Sequence, residues 1–240
     1  MKLDILVFGA HPDDAELGCG ATIIKHVELG YKVGVIDLTE GELGTRGTAE
    51  SRRQEAEDAS KVMGLSIREN MGFRDGWFED NEDTRLAVIQ KVREFQPEIV
   101  ICNAPLDRHP DHGRAGKLVS EAAWLAGLSK IPTSGADGKT QAAWRPKHVL
   151  QYIQYKQFEP DLVLDCRDYV DKKMEAIKCY RSQFYDPNSK EPETILTNPH
   201  FLEMISSRMS AAGNHALIEY GEGFLSAFKP AIKNLFDLGY

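Results

Sequence analysis

No apolar run in this sequence is long enough to cross a bilayer, so a membrane-spanning role is not expected. No lysine- and arginine-rich cluster offers a nucleic-acid backbone a partner either, and acidic residues outnumber basic ones, 37 to 29, for a net charge of −8. Cysteine is scarce. Cys19, Cys102, Cys166 and Cys179 are widely spaced, with no CxxC pair, and read as reduced, mostly buried small side chains. Cys19, in Gly18-Cys19-Gly20 beside a histidine-rich motif, has a second reading as a soft metal ligand; a packed turn residue is the simpler one. Internal repeats, low-complexity tracts and a convincing linker are missing too. Met1-Lys2 leads straight into a strand-like run with no secretory apolar region, so the expected compartment is the cytoplasm. What is present is an ordinary globular composition, 42% hydrophobic and 28% charged over 240 residues, read as one domain spanning 1–240.

The first half alternates short apolar runs with segments of helical spacing. Leu3 to Phe8, Val33 to Leu38, a short stretch near Ile67 and Ile99 to Cys102 read as strands. Between and after them, Ala15 to Leu29 (closed by Gly30), Thr48 to Met63 (Thr48 as N-cap, Gly64 at the end), Thr84 to Phe95 and His112 to Leu125 read as helices. This alternation predicts right-handed crossovers and a parallel, doubly wound α/β sheet. The second half is less regular. Residues 128–144 read as a long loop or flap, His148 to Ile153 and Leu162 to Cys166 as strands, and Tyr169 to Tyr180 as a helix. Ser182 to Pro199 reads as irregular, Phe201 to Ala212 as a final helix, and a polar turn with Tyr220-Gly221-Glu222-Gly223-Phe224 follows.

Two motifs carry the chemistry. Ala10-His11-Pro12-Asp13-Asp14 follows the first strand, and His109-Pro110-Asp111-His112 follows the strand at Ile99. Strand ends of an open α/β sheet are where such folds place ligands. Imidazole nitrogen and carboxylate oxygen suit zinc, whose catalytic sites usually have three protein ligands and one position open to water. Pro12 lets His11 and Asp14 turn inward together, and His112 is the natural third ligand. Asp13 is then left to act as general base toward a water that zinc makes acidic near neutral pH. His109 can donate to an oxyanion if its proton is on the right nitrogen. Asp111 is placed to orient His109 or His112. One such triplet would be an ordinary capped turn; two, each after a strand, point to a metal site. The remaining histidines, His26, His148, His200 and His215, have no such context and read as structural or exposed.

His11-Pro12-Asp13-Asp14 with Glu16-x-Gly18-x-Gly20, together with His109-Pro110-Asp111-His112, resembles the LmbE-like (PIG-L) superfamily of zinc-dependent N-acetylglucosamine deacetylases over nearly the whole chain. Gly41 to Gly47, Arg52-x-x-Glu55, Gly72 to Gly76 and Asp107-Arg108-His109 resemble its bacillithiol-biosynthesis branch, whose members remove acetate from N-acetylglucosaminyl-malate. The resemblance implies a three-layer α/β/α Rossmann-like fold, His11, Asp14 and His112 as zinc ligands, Asp13 as base, and His109 at the position that stabilises the tetrahedral intermediate. It implies Arg52 and Asp75 as substrate residues, an amino-sugar substrate, and a trimer or hexamer. Two departures stand out: Ala21 where the family often has a second glycine, and Asp107 where some relatives have a tyrosine.

Several readings stay open at this level. Arg52 or its neighbour Arg53 can match a substrate carboxylate bidentately, but a charged helix face with i,i+4 pairs reads the same way. Asp75 can accept sugar hydroxyls or simply cap a turn. Arg145 can reach the site from the flap or serve a subunit contact. Fe²⁺ suits the same ligands as zinc. Rival functions are deacetylation of another N-acetylglucosamine conjugate or chitooligosaccharide, a non-catalytic sugar or metal module, and a nucleotide-binding Rossmann protein. Asp13, Asp14 and Glu16 disfavour the last, since they stand where a pyrophosphate would approach.

Overall fold

Ile5–Gly9 is buried at every position, as a strand covered on both faces must be. This strand, β1, lies at the centre of the structure, a computed structural model that describes residues 1–237. Leu6 and Phe8 point into one apolar cluster with Val88, Val92 and Leu118; Ile5 and Val7 point into another with Ala15, Ile23 and Met63. The other strands are β2 (Val33–Thr39), β3 (Ile67–Phe73), β4 (Ile99–Asn103), β5 (His148–Tyr152), β6 (Leu162–Asp165) and β7 (Gly221–Ser226). They form one seven-stranded sheet in the order β3-β2-β1-β4-β5-β7-β6. Pairs among the first five positions are parallel, and β7 runs antiparallel to both β5 and β6. Helices are α1 (Asp14–Glu28), α2 (Ala49–Met63), α3 (Glu82–Phe95), α4 (Pro110–Leu125), α5 (Val170–Lys178) and α6 (Phe201–Asn214). Residues of α3 and α4 fill the first cluster and residues of α1, α2 and α5 the second, giving the expected three-layer, mostly parallel α/β/α fold.

The expected elements form with ends shifted by a few residues, and α2 carries the predicted caps: Thr48 accepts the Ser51 amide and Gly64 closes the helix at φ 71°. One strand was not expected. Gly221–Ser226, read as following a polar turn, pairs between β5 and β6. Its glycines hide the strand pattern, yet Gly221 is required: a Cβ there would stand 2.5 Å from Val163 Cγ1.

Helix α1 breaks at Cys19 (φ −145°, ψ 26°). The amides of Ala21 and Thr22 beyond the break donate to the Glu222 carboxylate of β7, at 3.1 and 2.7 Å. Lys173 of α5 pairs with that carboxylate at 2.7 Å and donates to the Leu17 carbonyl at 2.9 Å. Lys173 and Glu222 are only 2% and 3% exposed. Removing one member of a buried pair leaves the other charge uncompensated, so Lys173→Met is expected to lower unfolding free energy by about 3–5 kcal/mol. Chemical denaturation checks this; an unchanged midpoint would show that Lys173 does not staple the broken helix.

Candidate active site

Strands β1 and β4 are sheet neighbours, but β1 leads through α1 to β2 on one side while β5 extends the sheet on the other. That reversal opens a crevice at their carboxyl ends. Both motifs lie there. Asn103, the last residue of β4, ties the two strand ends together by accepting the Ala10 amide at 3.0 Å. His109 caps α4, with Pro110 in its first turn. Side chains of His11, Asp13, Asp14, His109 and His112 line one cavity of about 340 Å³.

The hydrogen-bond network sets the tautomers. His112 Nδ1 donates to Asp107 Oδ2 at 2.9 Å, and its Nε2 faces Asp14 Oδ1 at 3.2 Å. His11 Nε2 donates to Asp75 Oδ1 at 2.9 Å, which leaves Nδ1 3.5 Å from Asp14 Oδ2. Each imidazole therefore turns one nitrogen toward Asp14, protonated while no cation is held and a lone pair once a cation displaces that proton, and gives its other nitrogen to a carboxylate, the usual outer support of a metal-binding histidine. Asp14 is held from behind by the His11 amide (3.0 Å), Asn103 Nδ2 (3.3 Å) and Gln154 Nε2 (2.8 Å). Burial opposes a charge on His11, but Asp111, Asp14 and Asp75 overrule it and hold its pKa well above the ordinary value. Burial likewise opposes charge on His112, yet Asp14 and Asp107 raise its pKa to about 9. A pocket that grips protons this strongly has the excess of carboxylate needed to hold a divalent cation.

His109 differs. Its ring lies 4.7 Å from that of His11, and the nitrogens of His11, His109 and His112 all fall within 4.8 Å of one another. Yet His109 Nδ1 accepts the Asp111 amide at 3.3 Å, so Nε2 carries the proton. A nitrogen bearing hydrogen is a donor rather than a metal ligand. Burial, with the neighbouring charges of His11 and His112, lowers the His109 pKa and keeps the ring neutral.

Asp13 stands apart from the donor nitrogens. Burial raises its carboxyl to about 7, against the pull of Arg52. Arg52 NH2 contacts Asp13 Oδ2 at 3.2 Å and the Pro12 carbonyl, while NH1 reaches Gln183 at 3.2 Å. Gly41 makes room for that guanidinium, since a Cβ there would lie 2.9 Å from Arg52 NH1. Asp13 adopts φ 114°, a left-handed backbone that aspartate tolerates at a cost of about 1–3 kcal/mol, and which functional sites tend to retain.

Several expectations change. Arg52 is buried in the site, whereas Arg53 is exposed and pairs with Glu40 and Glu50. Asp75 lines the cavity, but its bonds go to His11 and the Leu43 amide, so it orients a histidine whatever it does for a sugar. The Asp111 carboxylate orients neither His109 nor His112. It takes Arg114 at 2.6 Å and the Gly76 amide at 2.8 Å, and lies 3.5 Å from His11. Asp107 does the work expected of it, because a five-residue loop spacing brings Asp107 under His112. Gln154 was missed altogether; it follows β5 with no motif around it. Residues 128–144 do not line the cavity: Arg93, buried, donates to the carbonyls of Leu128 and Ile131 and holds that loop near α3. Arg145 stacks on Trp124 at 4.5 Å, outside the cavity. Cys19 belongs to neither group of metal-capable donors among the described residues. No helix among those residues is long and apolar enough to cross a membrane.

Donor atoms lie within 4.8 Å of one another in two groups among the described residues, His11 with His109 and His112, and His11 with Asp75 and Asp111. Asp14 belongs to neither, but faces His11 and His112 at 3.5 and 3.2 Å, and imidazole with carboxylate suits a borderline divalent cation.

The family model described as PIG-L, GlcNAc-PI de-N-acetylase, matches residues 6–123, which include both motifs. A probable N-acetyl-alpha-D-glucosaminyl L-malate deacetylase 2 of Bacillus anthracis is 31% identical over 196 residues, covering 75% of this chain and 81% of its own. A conserved protein of Thermus thermophilus, of solved structure, has a TM-score of 0.85 and 34% identity, covering 97% of this chain and 98% of its own. The 4-carboxy-2-hydroxymuconate hydratase of Pseudomonas putida has a TM-score of 0.76 and 26% identity, covering 98% of this chain and 100% of its own. On the likeness to the Bacillus protein, the chain belongs to the PIG-L, or LmbE-like, family.

Proposed function

We propose that this protein is a metal-dependent hydrolase that removes acetate from an N-acetylglucosaminide, with N-acetylglucosaminyl-malate as its substrate. The observation that carries the reading is the convergence in one cavity of a cation-holding cluster, a separate carboxylate held by an arginine, and an imidazole that presents Nε2–H. When bound at His11, Asp14 and His112, zinc (or Fe²⁺) supplies a Lewis-acid centre that acidifies water and polarises the acetyl carbonyl. Asp13, whose carboxyl lies near neutrality, takes the proton of the attacking water and returns it to the departing amine. Arg52 keeps Asp13 aimed. His109 donates from Nε2 to the developing oxyanion and needs no added proton to do so. Asp75 and Asp107 hold His11 and His112 in their tautomers. The products are acetate and a free amine.

Arg108 supports an anionic aglycone. It is exposed at the cavity edge beside His109, stacks on Tyr155 at 5.1 Å, and forms no ion pair among the described residues. A guanidinium in that state matches a malate carboxylate bidentately.

The test is acetate release from N-acetylglucosaminyl-malate and from diacetylchitobiose, before and after chelation and after zinc is restored. Chelator-sensitive release from the malate conjugate is the expected result. Release from chitobiose alone would overturn the malate assignment, and no release from any N-acetylglucosaminide would overturn the reaction.

A further inference from the structure

Residues 185–199 form neither helix nor strand and carry Pro187, Pro192 and Pro199, whose missing amides keep the segment out of any ladder. Its two roots are fixed. Phe184 and Phe201 stack with ring centroids 5.8 Å apart, in the apolar cluster that also holds Tyr180 and Ile205. Just before the first root, Ser182 gives its amide and hydroxyl to Glu55 of α2, at 2.6 and 2.8 Å. A segment whose ends meet on the core is an Ω-loop, a form often found at functional sites.

The middle of the loop is held differently. It arches over a cavity of about 510 Å³ walled by Arg46 and by the loop's own residues, Tyr185, Glu193 and Asn198 among them. Its tip reaches across to one place. Glu191 accepts from Arg46 Nε at 3.3 Å and from the Gly47 amide at 3.2 Å, and the Ser189 hydroxyl accepts from Arg46 NH2 at 2.5 Å. The Arg46 side chain is 4% exposed and that of Glu191 47%, so this latch stands half in water and is open to screening by salt. Tyr185 and Ile195 are exposed as well, and add little apolar burial to it. Both sides of the latch belong to the active cavity: Leu196 of the loop lines it, as do Gly41, Leu43 and Gly44 of the segment that carries Arg46.

We propose that residues 185–199 are a lid on the active cavity, hinged at Phe184 and Phe201 and latched by Glu191 and Ser189 on Arg46 and Gly47. Lifting the tip releases the latch into water and withdraws Leu196 from the cavity wall. Closing brings Leu196 back over the substrate and sheds water from it. The lid does not depend on which substrate the cavity takes; only the second readout below rests on the N-acetylglucosaminide reading above.

Trypsin tests the latch, because Lys190 lies at the tip beside Glu191 and its bond is open to a protease only when the tip is free. Where opening is fast relative to cleavage, the rate follows the open population. Each rate is divided by that of a free peptide of residues 182–199, which carries the same bond. Arg46→Met removes the latch without touching the residues around that bond. It is expected to speed cleavage at Lys190 about tenfold or more, with cleavage at the other sites unchanged. Added salt should speed cleavage of the parent and not of the variant. Should Arg46→Met unfold, Glu191→Gln, referred to its own peptide, removes the same charge pair from the exposed side. Parent and folded variant cut alike, or a parent cut as fast as the peptide, would overturn the latch.

The second readout ties the tip to the cavity. In the zinc-loaded Asp13→Asn, Arg46→Met double variant, saturating N-acetylglucosamine is expected to slow cleavage at Lys190 about threefold or more, since a ligand that Leu196 covers favours the closed state. Saturation by calorimetry with unchanged cleavage would overturn the lid and leave a static strap. No binding of the sugar would instead overturn the N-acetylglucosaminide reading, while the comparison of parent and Arg46→Met still decides the latch.

Discussion

Asp13→Asn is expected to fold, to take up zinc as the parent does, and to deacetylate about a hundred- to ten-thousandfold more slowly, the usual contribution of a positioned general base. Asparagine is the informative replacement. It tolerates the left-handed backbone found at φ 114°, and its carbonyl still accepts from Arg52. The capacity to take a proton is removed together with the negative charge, while an acceptor for Arg52 is kept. Alanine would remove that acceptor as well, adding a larger stability loss to the result. Turnover within tenfold of the parent, with full zinc content by elemental analysis, would remove Asp13 from the proton path.

Asp14→Asn should produce a different failure. Asp14 is the hub of the cluster: both imidazoles turn a nitrogen to it, and three protein donors hold it from behind. A carboxamide preserves the shape but carries no charge to offset a cation. It must also present an NH2 to one side of a ring of donors. Zinc affinity is expected to fall by about a hundredfold or more, beyond the 10–100-fold typical of outer supports, and activity at limiting zinc should vanish with it. Excess zinc should restore part of the activity in this variant and none in Asp13→Asn. Unchanged zinc affinity would mean that His109 completes the cluster in place of Asp14, since a ring nitrogen of His109 lies within 4.8 Å of those of His11 and His112.

The two variants divide the opening motif into a residue that moves a proton and a residue that holds a cation. The lysine staple under the broken helix tests the layer behind it. Likeness to a hydratase of the same fold makes the acetate assay a necessary one, because a cation-holding crevice alone does not choose between adding water to a carbonyl and adding it elsewhere.

Local pattern determined much of this protein. Apolar runs with flanking caps placed five strands of the parallel region and the helices between them, because burial on both faces demands uninterrupted apolar strands and helix ends demand caps. Two histidine–aspartate motifs after strands β1 and β4 marked the crevice, because neighbouring strands end at the same edge. Tertiary structure alone decided the rest. Gly221–Ser226 becomes a strand through what packs against it, with Gly221 admitting Val163 and Glu222 capping a helix some 200 residues away in sequence. Arg52 and Arg53 are adjacent in sequence, and only the helix phase turns one into the site and the other to solvent. Much of the support behind the cluster was equally unreadable: Asp75 serves His11 across 64 positions and Gln154 serves Asp14 across 140, while Asp107 serves His112 across only five. Metal ligands can sit close in sequence because a short turn can aim them. Of the groups behind them only Asp107 is also near in sequence; Asp75 and Gln154 come from other walls of the pocket, and only folding brings those walls near.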